Sequence, residues 1–266
     1  MTAGARPDPV DDRRLATVRA LLAKAEASEY PEEAEAFFAK ASELIARFAI
    51  DEALVWAGSA ERDQPDEVRL VIHAPYLAQK AVLVHAVAVA HGCQSVRLLS
   101  GPGHRSEVIS VVGFPGDLRW VETLVTSLLV QLTSSMLARC PEGLTSSGSA
   151  GWRRSFIMGF AEEVSARLRA DRDAAAGAAG AAGAAGSSVA GEGGAADAGR
   201  GPSVALVLAE RSGEVRDEFR RRYPSVRSAW ASRGSSAEGR RAGRRAGKEA
   251  SLGRDAVGGR RGLGSG

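Results

Sequence analysis

Cysteine is scarce in this chain, and its scarcity excludes one class of fold. The 266 residues contain two cysteines, Cys93 and Cys140, and neither belongs to a C-x-x-C pair. A disulfide framework is therefore excluded, and isolated thiols are typical of proteins in a reducing compartment. We expect a cytoplasmic protein.

Long apolar runs are also absent. The longest, from Ala81 to Ala90, is interrupted by His85 and is far shorter than the roughly 20 residues that cross a bilayer. The first residues, MTAGARPDPVDDRR, lack the apolar core of a signal peptide. We therefore expect no membrane partner, and the apolar run predicts a buried helix.

Motifs of established chemistry are missing as well. The sequence has no H-E-x-x-H, no G-x-S-x-G and no P-loop, because the glycine loop from Gly101 to Ser106 lacks the G-K-[ST] ending. His85 and His91 are six residues apart, on roughly opposite faces of a helix, so they make a poor metal site even with Cys93 nearby. We predict no metal and no cofactor.

An enzyme remains an alternative hypothesis. Rigid scaffolds present functional side chains at strand ends and in the adjoining loops. His73, His104 and Glu107 occupy such positions in the predicted sheet and are the candidate catalytic residues.

Two amphipathic helical patterns follow an N-terminus, residues 1–11, that is predicted to be disordered. Residues 12–28 and 31–49 repeat apolar side chains at helical spacing, and Pro31 suits the first turn of the second helix. The two apolar stripes should face each other in a helical hairpin over residues 12–51. Their members are Leu15, Val18, Leu22 and Ala25 on the first helix, and Ala34, Phe37, Phe38, Ala41, Leu44, Ile45 and Phe48 on the second.

A polar connector at residues 52–66 precedes a change of period. Residues 67–172 alternate between strand and helix patterns, which predicts an α+β domain with helices packed on a three-stranded sheet. The predicted elements are a strand at 68–73, a helix at 76–91, strands at 95–99 and 107–112 joined by a hairpin-type loop, a helix at 115–139, and a further helix carrying Trp152, Phe156, Phe160, Val164 and Leu168.

The last third of the chain offers little apolar material. Residues 173–202 are nearly all Ala and Gly, which indicates a disordered linker. Residues 203–224 predict a short strand at 204–207 and a helix at 210–222. Residues 225–266 are typical of a basic disordered tail.

Charge is divided unevenly along the chain. Residues 1–210 contain 20 basic and 26 acidic residues, a balance of −6, whereas residues 211–266 contain 15 and 6, a balance of +9. Arginines among small residues release counterions from a polyanion, and the lack of aromatics beyond Trp230 excludes base stacking. The candidate nucleic-acid-binding residues are Arg240, Arg241, Arg244, Arg245, Lys248, Arg254, Arg260 and Arg261.

The segment from Leu15 to Asp51 resembles a bacterial and phage module called domain of unknown function 2786. Phe48 stands where such segments often carry His. The resemblance implies no activity, because the family has none established. The matching stretches are VRALLAKAE (18–26), PEEAEA (31–36) and AKASELIARFAID (39–51), and more loosely VVGFPGD (111–117), WRRSFIMGF (152–160) and AEGRRAGRRAG (237–247) resemble the rest of longer members.

Three functional hypotheses follow. The first is a non-enzymatic protein whose helical hairpin binds a protein partner and whose basic tail binds nucleic acid weakly and non-specifically. The second is an enzyme of unspecified reaction, with nucleic acid among its possible substrates and a site in the α+β domain. The third is a protein adaptor without nucleic acid, in which the acidic hairpin and the basic tail attract each other.

Overall fold

The computed structural model describes residues 9–27, 31–58, 63–99, 104–186, 204–227 and 231–250. Over these residues it contains seven helices and a three-stranded sheet, which confirms the predicted α+β class. The elements are α1 (Pro9–Ala27), α2 (Pro31–Gly58), β1 (Asp66–His73), α3 (Leu77–Ala90), β2 (Gln94–Leu98), β3 (Ser106–Gly113), α4 (Pro115–Arg139), α5 (Ser146–Gly186), α6 (Val204–Arg222) and α7 (Ala237–Glu249).

The sheet is antiparallel, with strand order β1-β3-β2, and each strand lies within two residues of its predicted bounds. Leu70 of β1 lies opposite Ile109 of β3. Because side chains alternate between the faces of a sheet, Leu70, Ile72 and Ile109 share one face, and all three are buried. On the other face, Val71 is 53% exposed. The β2–β3 hairpin is confirmed, and its loop residues 100–103 lie outside the described residues.

Helices α3 and α4 pack on the sheet. The predicted bounds of α4 are confirmed, and α3 is one residue shorter at each end than predicted. Among the described helices, α4 is long and apolar enough to cross a membrane by length and composition. Its Val121, Leu124, Leu128 and Leu132 side chains are nevertheless buried within this chain. That packing is typical of a core helix.

The helical hairpin is confirmed, and its apolar side belongs to the same core as the sheet. Val18, Ala41 and Ile45 are each at most 1% exposed. The helices are longer than predicted: α1 begins at Pro9, and α2 continues to Gly58, so the connector prediction is wrong for residues 52–58. Ala53 and Trp56 continue the helical spacing and are buried, and the Trp56 ring packs edge-on to Phe114. Residues 1–8 of the predicted disordered N-terminus lie outside the described residues.

Two predictions for the segments after residue 172 are wrong. Helix α5 continues to Gly186, so residues 173–186 are helical instead of a disordered linker. Alanine has the highest helix propensity, and extending a formed helix avoids the cost of nucleation. Residues 187–202 lie outside the described residues. The residues of the predicted strand, 204–207, form the first turn of α6 instead. Val207 in that turn and Val215 two turns later are both buried, as expected for one face of a helix.

The prediction of a disordered tail over residues 225–266 is also wrong in part. The tail includes the helix α7, which packs against α5. Helix α7 has no apolar side chain larger than alanine, so hydrophobic periodicity gives no signal there. Residues 251–266, with the candidate binding residues Arg254, Arg260 and Arg261, lie outside the described residues.

Candidate nucleic-acid interface

Helix α7 has one face of small residues and one face of cations. Gly239, Gly243 and Gly247 recur every four residues and are buried, as is Ala246. Because an α-helix has 3.6 residues per turn, residues four apart lie on nearly the same face. This arrangement brings the bare backbone of α7 against α5.

The two helices approach so closely that glycine is required on both. A Cβ atom added to Gly243 would stand 2.0 Å from the carbonyl oxygen of Phe156 in α5. A Cβ atom added to Gly159 of α5 would stand 2.2 Å from the carbonyl oxygen of Arg240. Each added atom would collide with the backbone of the other helix. The cationic face of α7 is therefore held at a fixed position on α5.

Hydrogen bonds hold both ends of α7. At the N-terminus, the Ser236 hydroxyl oxygen accepts a hydrogen bond from the Gly239 N–H at 2.9 Å, and the Ser236 N–H donates to the Ser155 hydroxyl of α5 at 3.0 Å. At the C-terminus, Nη1 of Arg167 in α5 donates to the Lys248 carbonyl oxygen at 2.7 Å. A cation at this end also complements the helix dipole.

An exposed row of cations runs along the outer face of α7. It consists of Arg241, Arg245 and Lys248, and no ion pair to any of them occurs within the described part of the chain. The spacings of four and three residues place these side chains about 6 and 4.5 Å apart along the helix axis, roughly 10 Å in all. One strand of duplex DNA carries a charge about every 3.4 Å, so the row spans about three phosphates.

A second row, Arg240 and Arg244, is partly neutralised by Glu162 of α5. Both guanidinium groups contact this one carboxylate, and Arg244 Nη2 lies 3.0 Å from Oε2. Burial raises the pKa of Glu162, but the hydrogen bonds from Arg240 and Arg244 outweigh burial and lower the pKa overall. One negative charge between two arginines leaves this row with a net positive charge.

Helix α6 also ends in arginines, Arg220, Arg221 and Arg222, but carboxylates on α6 and on β1 neutralise them: Arg222 contacts Glu218 of α6 and lies 3.3 Å from Glu67 of β1. Arg220 lies 2.9 Å from Asp217, and Arg221 lies 2.6 Å from Glu218. Equal numbers of arginines and carboxylates in these pairs give little attraction for a polyanion. Of these two arginine-rich helices, α7 offers the stronger polyanion-binding surface.

The candidate catalytic residues lie at one end of the sheet. His73 ends β1 opposite Ser106, and His104 precedes β3 by two residues; both histidines are exposed. The Glu107 side chain is 10% exposed and pairs with Arg97, whose Nη2 donates to Oε1 at 2.8 Å. This ion pair ties β2 to β3 and gives Glu107 a structural partner. A catalytic role for the three residues stays a prediction.

Sequence reasoning identified the five cations of α7 but missed the helix that presents them. Two signals were present: glycine at every fourth position from Gly239, and Ser236 as an N-cap residue just before the pattern. It also missed Glu162, which lies more than 70 residues away in sequence and meets the arginines only in the folded chain.

Comparison with known proteins gives one match. Residues 13–52 match the family model described as Protein of unknown function (DUF2786), which confirms the resemblance of the segment from Leu15 to Asp51. No curated protein and no solved structure matches the chain. The matched residues include most of α1 and most of α2 and do not include α7. Residues 152–160 and 237–247, which loosely resemble longer members, pack against each other as α5 and α7.

Proposed function

We propose that this is a cytoplasmic protein that binds nucleic acid through α7, by contacts to the phosphate backbone and without sequence preference. The observation that supports the proposal is the docked helix itself, whose glycine face is buried on α5 while Arg241, Arg245 and Lys248 are exposed. The two free thiols agree with a reducing compartment.

The expected affinity is low and depends strongly on salt. Each phosphate neutralised by a cation releases counterions, so log K falls with log[salt] by about 0.9 for each contact with duplex DNA. Three contacts give a slope of roughly −2.7, which is about a 40-fold loss of affinity between 50 and 200 mM salt. Non-specific binding of this kind has dissociation constants of about 10⁻⁴ to 10⁻⁶ M.

Sequence preference is not expected from this surface. Helix α7 contains no aromatic residue for base stacking, and its cations are flanked by alanine and glycine. A docked helix improves on a disordered tail in one respect, because its cations are already in place and lose less conformational entropy on binding.

The hairpin is less suited to bind a protein partner than the sequence suggested. Its apolar side, including Val18, Ala41 and Ile45, is already buried in the core of this chain. A protein partner would therefore meet the outer face, which carries the mixed charges of Arg19, Lys24 and Glu43 among others. For this reason we favour nucleic acid as the partner.

The test is a fluorescence anisotropy titration of a labelled 20-base-pair duplex with the full chain at 50, 100 and 200 mM salt. The variant R241Q/R245Q/K248Q removes the exposed row. The matched control R216Q/R220Q/R221Q removes the same net charge from α6. Circular dichroism checks that both variants keep the helical content of the parent.

We expect the α7 variant to bind at least tenfold more weakly at 50 mM salt and to reduce the magnitude of the salt slope by about 2.7. The control should change affinity less than threefold. Equal losses in both variants, or no loss in the α7 variant, would contradict the proposal. A chain ending at Ala250 separates α7 from Arg254, Arg260 and Arg261, and binding that disappears in this chain would also contradict a role for α7.

A further inference from the structure

A cavity of about 50 Å³ lies where α2, α3, α4, α5 and α6 meet. Helix α2 supplies one wall through Ile45, Ala46, Ala49 and Ile50, all of which belong to the segment matched by the family model. Other parts of the wall come from Phe114, before α4, and from apolar side chains of α4, α5 and α6. Ala46 and Ala49 leave this space open because their side chains end at Cβ.

One ion pair in the cavity lining is buried. Nη2 of Arg211 donates to Oδ2 of Asp117 at 3.0 Å, and the two side chains are 8% and 12% exposed. The Arg211 guanidinium also lies 3.9 Å from the centre of the Phe114 ring. Because each charge faces its counter-charge, this pair makes the lining polar without adding net charge.

The remaining lining groups keep the cavity electrically balanced. Asp171 and Arg172 are adjacent on α5, and Arg172 Nη1 donates to the Ala90 carbonyl oxygen at 3.1 Å. Burial, with a smaller contribution from Arg172, lowers the pKa of His91 to about 4. The imidazole is therefore neutral at pH 7. With two arginines and two aspartates, the lining favours an uncharged ligand.

His91 provides the polar group that lacks a partner. The residue lines the cavity, and its Nε2 atom is enclosed and has no hydrogen-bond partner within the described ranges of the chain. A buried polar atom without a partner is costly and rare in native structures. A hydroxyl group both donates and accepts, so it would satisfy Nε2 in either tautomer of the ring.

We propose that this cavity binds a small uncharged alcohol, with the hydroxyl group on Nε2 of His91 and the apolar body against α2. A water molecule occupies about 10–15 Å³ on this scale, so the cavity accommodates about three to five water-sized groups. The ligand is therefore a molecule of about that many non-hydrogen atoms. The site is separate from the α7 surface and does not depend on nucleic-acid binding.

The test uses the full chain and two probes, 1-propanol and xenon, followed by NMR of the His91 ring and of the Ile45, Leu124 and Val215 methyl groups. Xenon is the apolar control because it fills cavities without hydrogen bonding. The variant His91→Phe removes the polar group, and Ala49→Leu fills the cavity. Arg47→Leu adds a similar side chain to the exposed face of α2 and serves as the control.

We expect 1-propanol to give saturable shifts at these nuclei at millimolar concentrations, since a ligand of four non-hydrogen atoms has a limited affinity. His91→Phe should weaken 1-propanol binding about fivefold and leave xenon binding unchanged. Ala49→Leu should abolish the binding of both probes, and Arg47→Leu should change neither. Unchanged 1-propanol affinity in folded His91→Phe, or in folded Ala49→Leu, would overturn the proposal. So would a parent chain in which water alone contacts His91 and 1-propanol does not bind.

Discussion

Two helical segments of this chain are rich in alanine and glycine, and they differ in what surrounds their glycines. The end of α5, residues 174–186, repeats glycine every three residues, and a Cβ atom added to Gly177 would meet nothing within 4 Å. Helix α7 repeats glycine every four residues, and a Cβ atom added to Gly243 would stand 2.0 Å from the α5 backbone. Both segments repeat glycine at a regular spacing, but an added Cβ atom collides with a neighbouring backbone at Gly243 and meets nothing at Gly177.

The difference comes from the spacing and from what lies opposite. A step of three residues turns the helix by about 300°, so successive glycines drift by about 60° and spread around it. A step of four residues turns it by about 400°, so successive glycines drift by about 40° in the opposite sense and stay closer to one face. The stripe on α7 also faces Gly159, which allows the two backbones to meet.

The most direct test of this difference is to replace one glycine in each segment by alanine, which adds the same methyl group to both. We expect Gly243→Ala to destabilise the fold by about 3 kcal/mol, because the added Cβ collides with a backbone that must move away. We expect Gly177→Ala to be neutral or to stabilise it by up to about 1 kcal/mol through helix propensity. Urea unfolding measures both changes, and equal effects from the two variants would refute the difference.

The capping of α7 gives a smaller effect. Ser236→Ala removes the hydroxyl oxygen that accepts the Gly239 N–H, and we expect a loss of about 1 kcal/mol in the free energy of unfolding. Ser235→Ala, at an exposed neighbouring position, should change stability by less than about 0.5 kcal/mol. Urea unfolding again provides the measurement. A loss in Ser235→Ala as large as that in Ser236→Ala would argue against a specific cap.

Low pH should weaken the contact between α7 and α5, because it protonates Glu162. Of the predicted changes in the free energy of unfolding, this is the smallest. Because the pKa of Glu162 is lowered in the fold, its contribution is present above the ordinary value of 4.5 and is lost as the pH falls below it. We expect Glu162→Gln to reduce the loss of stability between pH 5 and 3 by less than about 1 kcal/mol, since the pair is partly exposed.

The control for this prediction is Glu122→Gln, an exposed carboxylate on α4. Urea unfolding of the parent and both variants at pH 7, 5 and 3 separates the two positions. If Glu122→Gln reduced the loss of stability at low pH as much as Glu162→Gln does, the cause would be the net charge of the protein and not the α5–α7 contact.

The two proposed sites, the cationic face of α7 and the cavity beside α2, differ in how much of each could be predicted from the sequence. The cations of α7 could be predicted from the sequence, because arginine and a solvent-exposed lysine are both charged at neutral pH. Their arrangement in a row could not, because it depends on a helix stabilised by contact with α5. The cavity was not predicted at all, since it is lined by residues from five helices, from Ile45 to Val215, and no local pattern connects them.

The fold shows the same division. Local periodicity determined the fold class, the strands and α3 and α4, because each of these elements buries its own apolar side chains at a regular spacing. The predicted bounds of α4 match the observed helix for this reason. Where an element has no large apolar side chains, as in α7, periodicity carries no information about structure.

The sequence by itself therefore determined the hairpin, the sheet with its helices, and the concentration of positive charge after residue 210. Only the tertiary structure decided that α7 is a helix with one face exposed, that Glu162 partly neutralises one row of its arginines, and that His91 lines a cavity beside α2. The physical reason is that apolar periodicity is a property of neighbouring residues. Backbone contact, charge pairing and enclosed space arise between residues that are distant in the chain and meet only after folding.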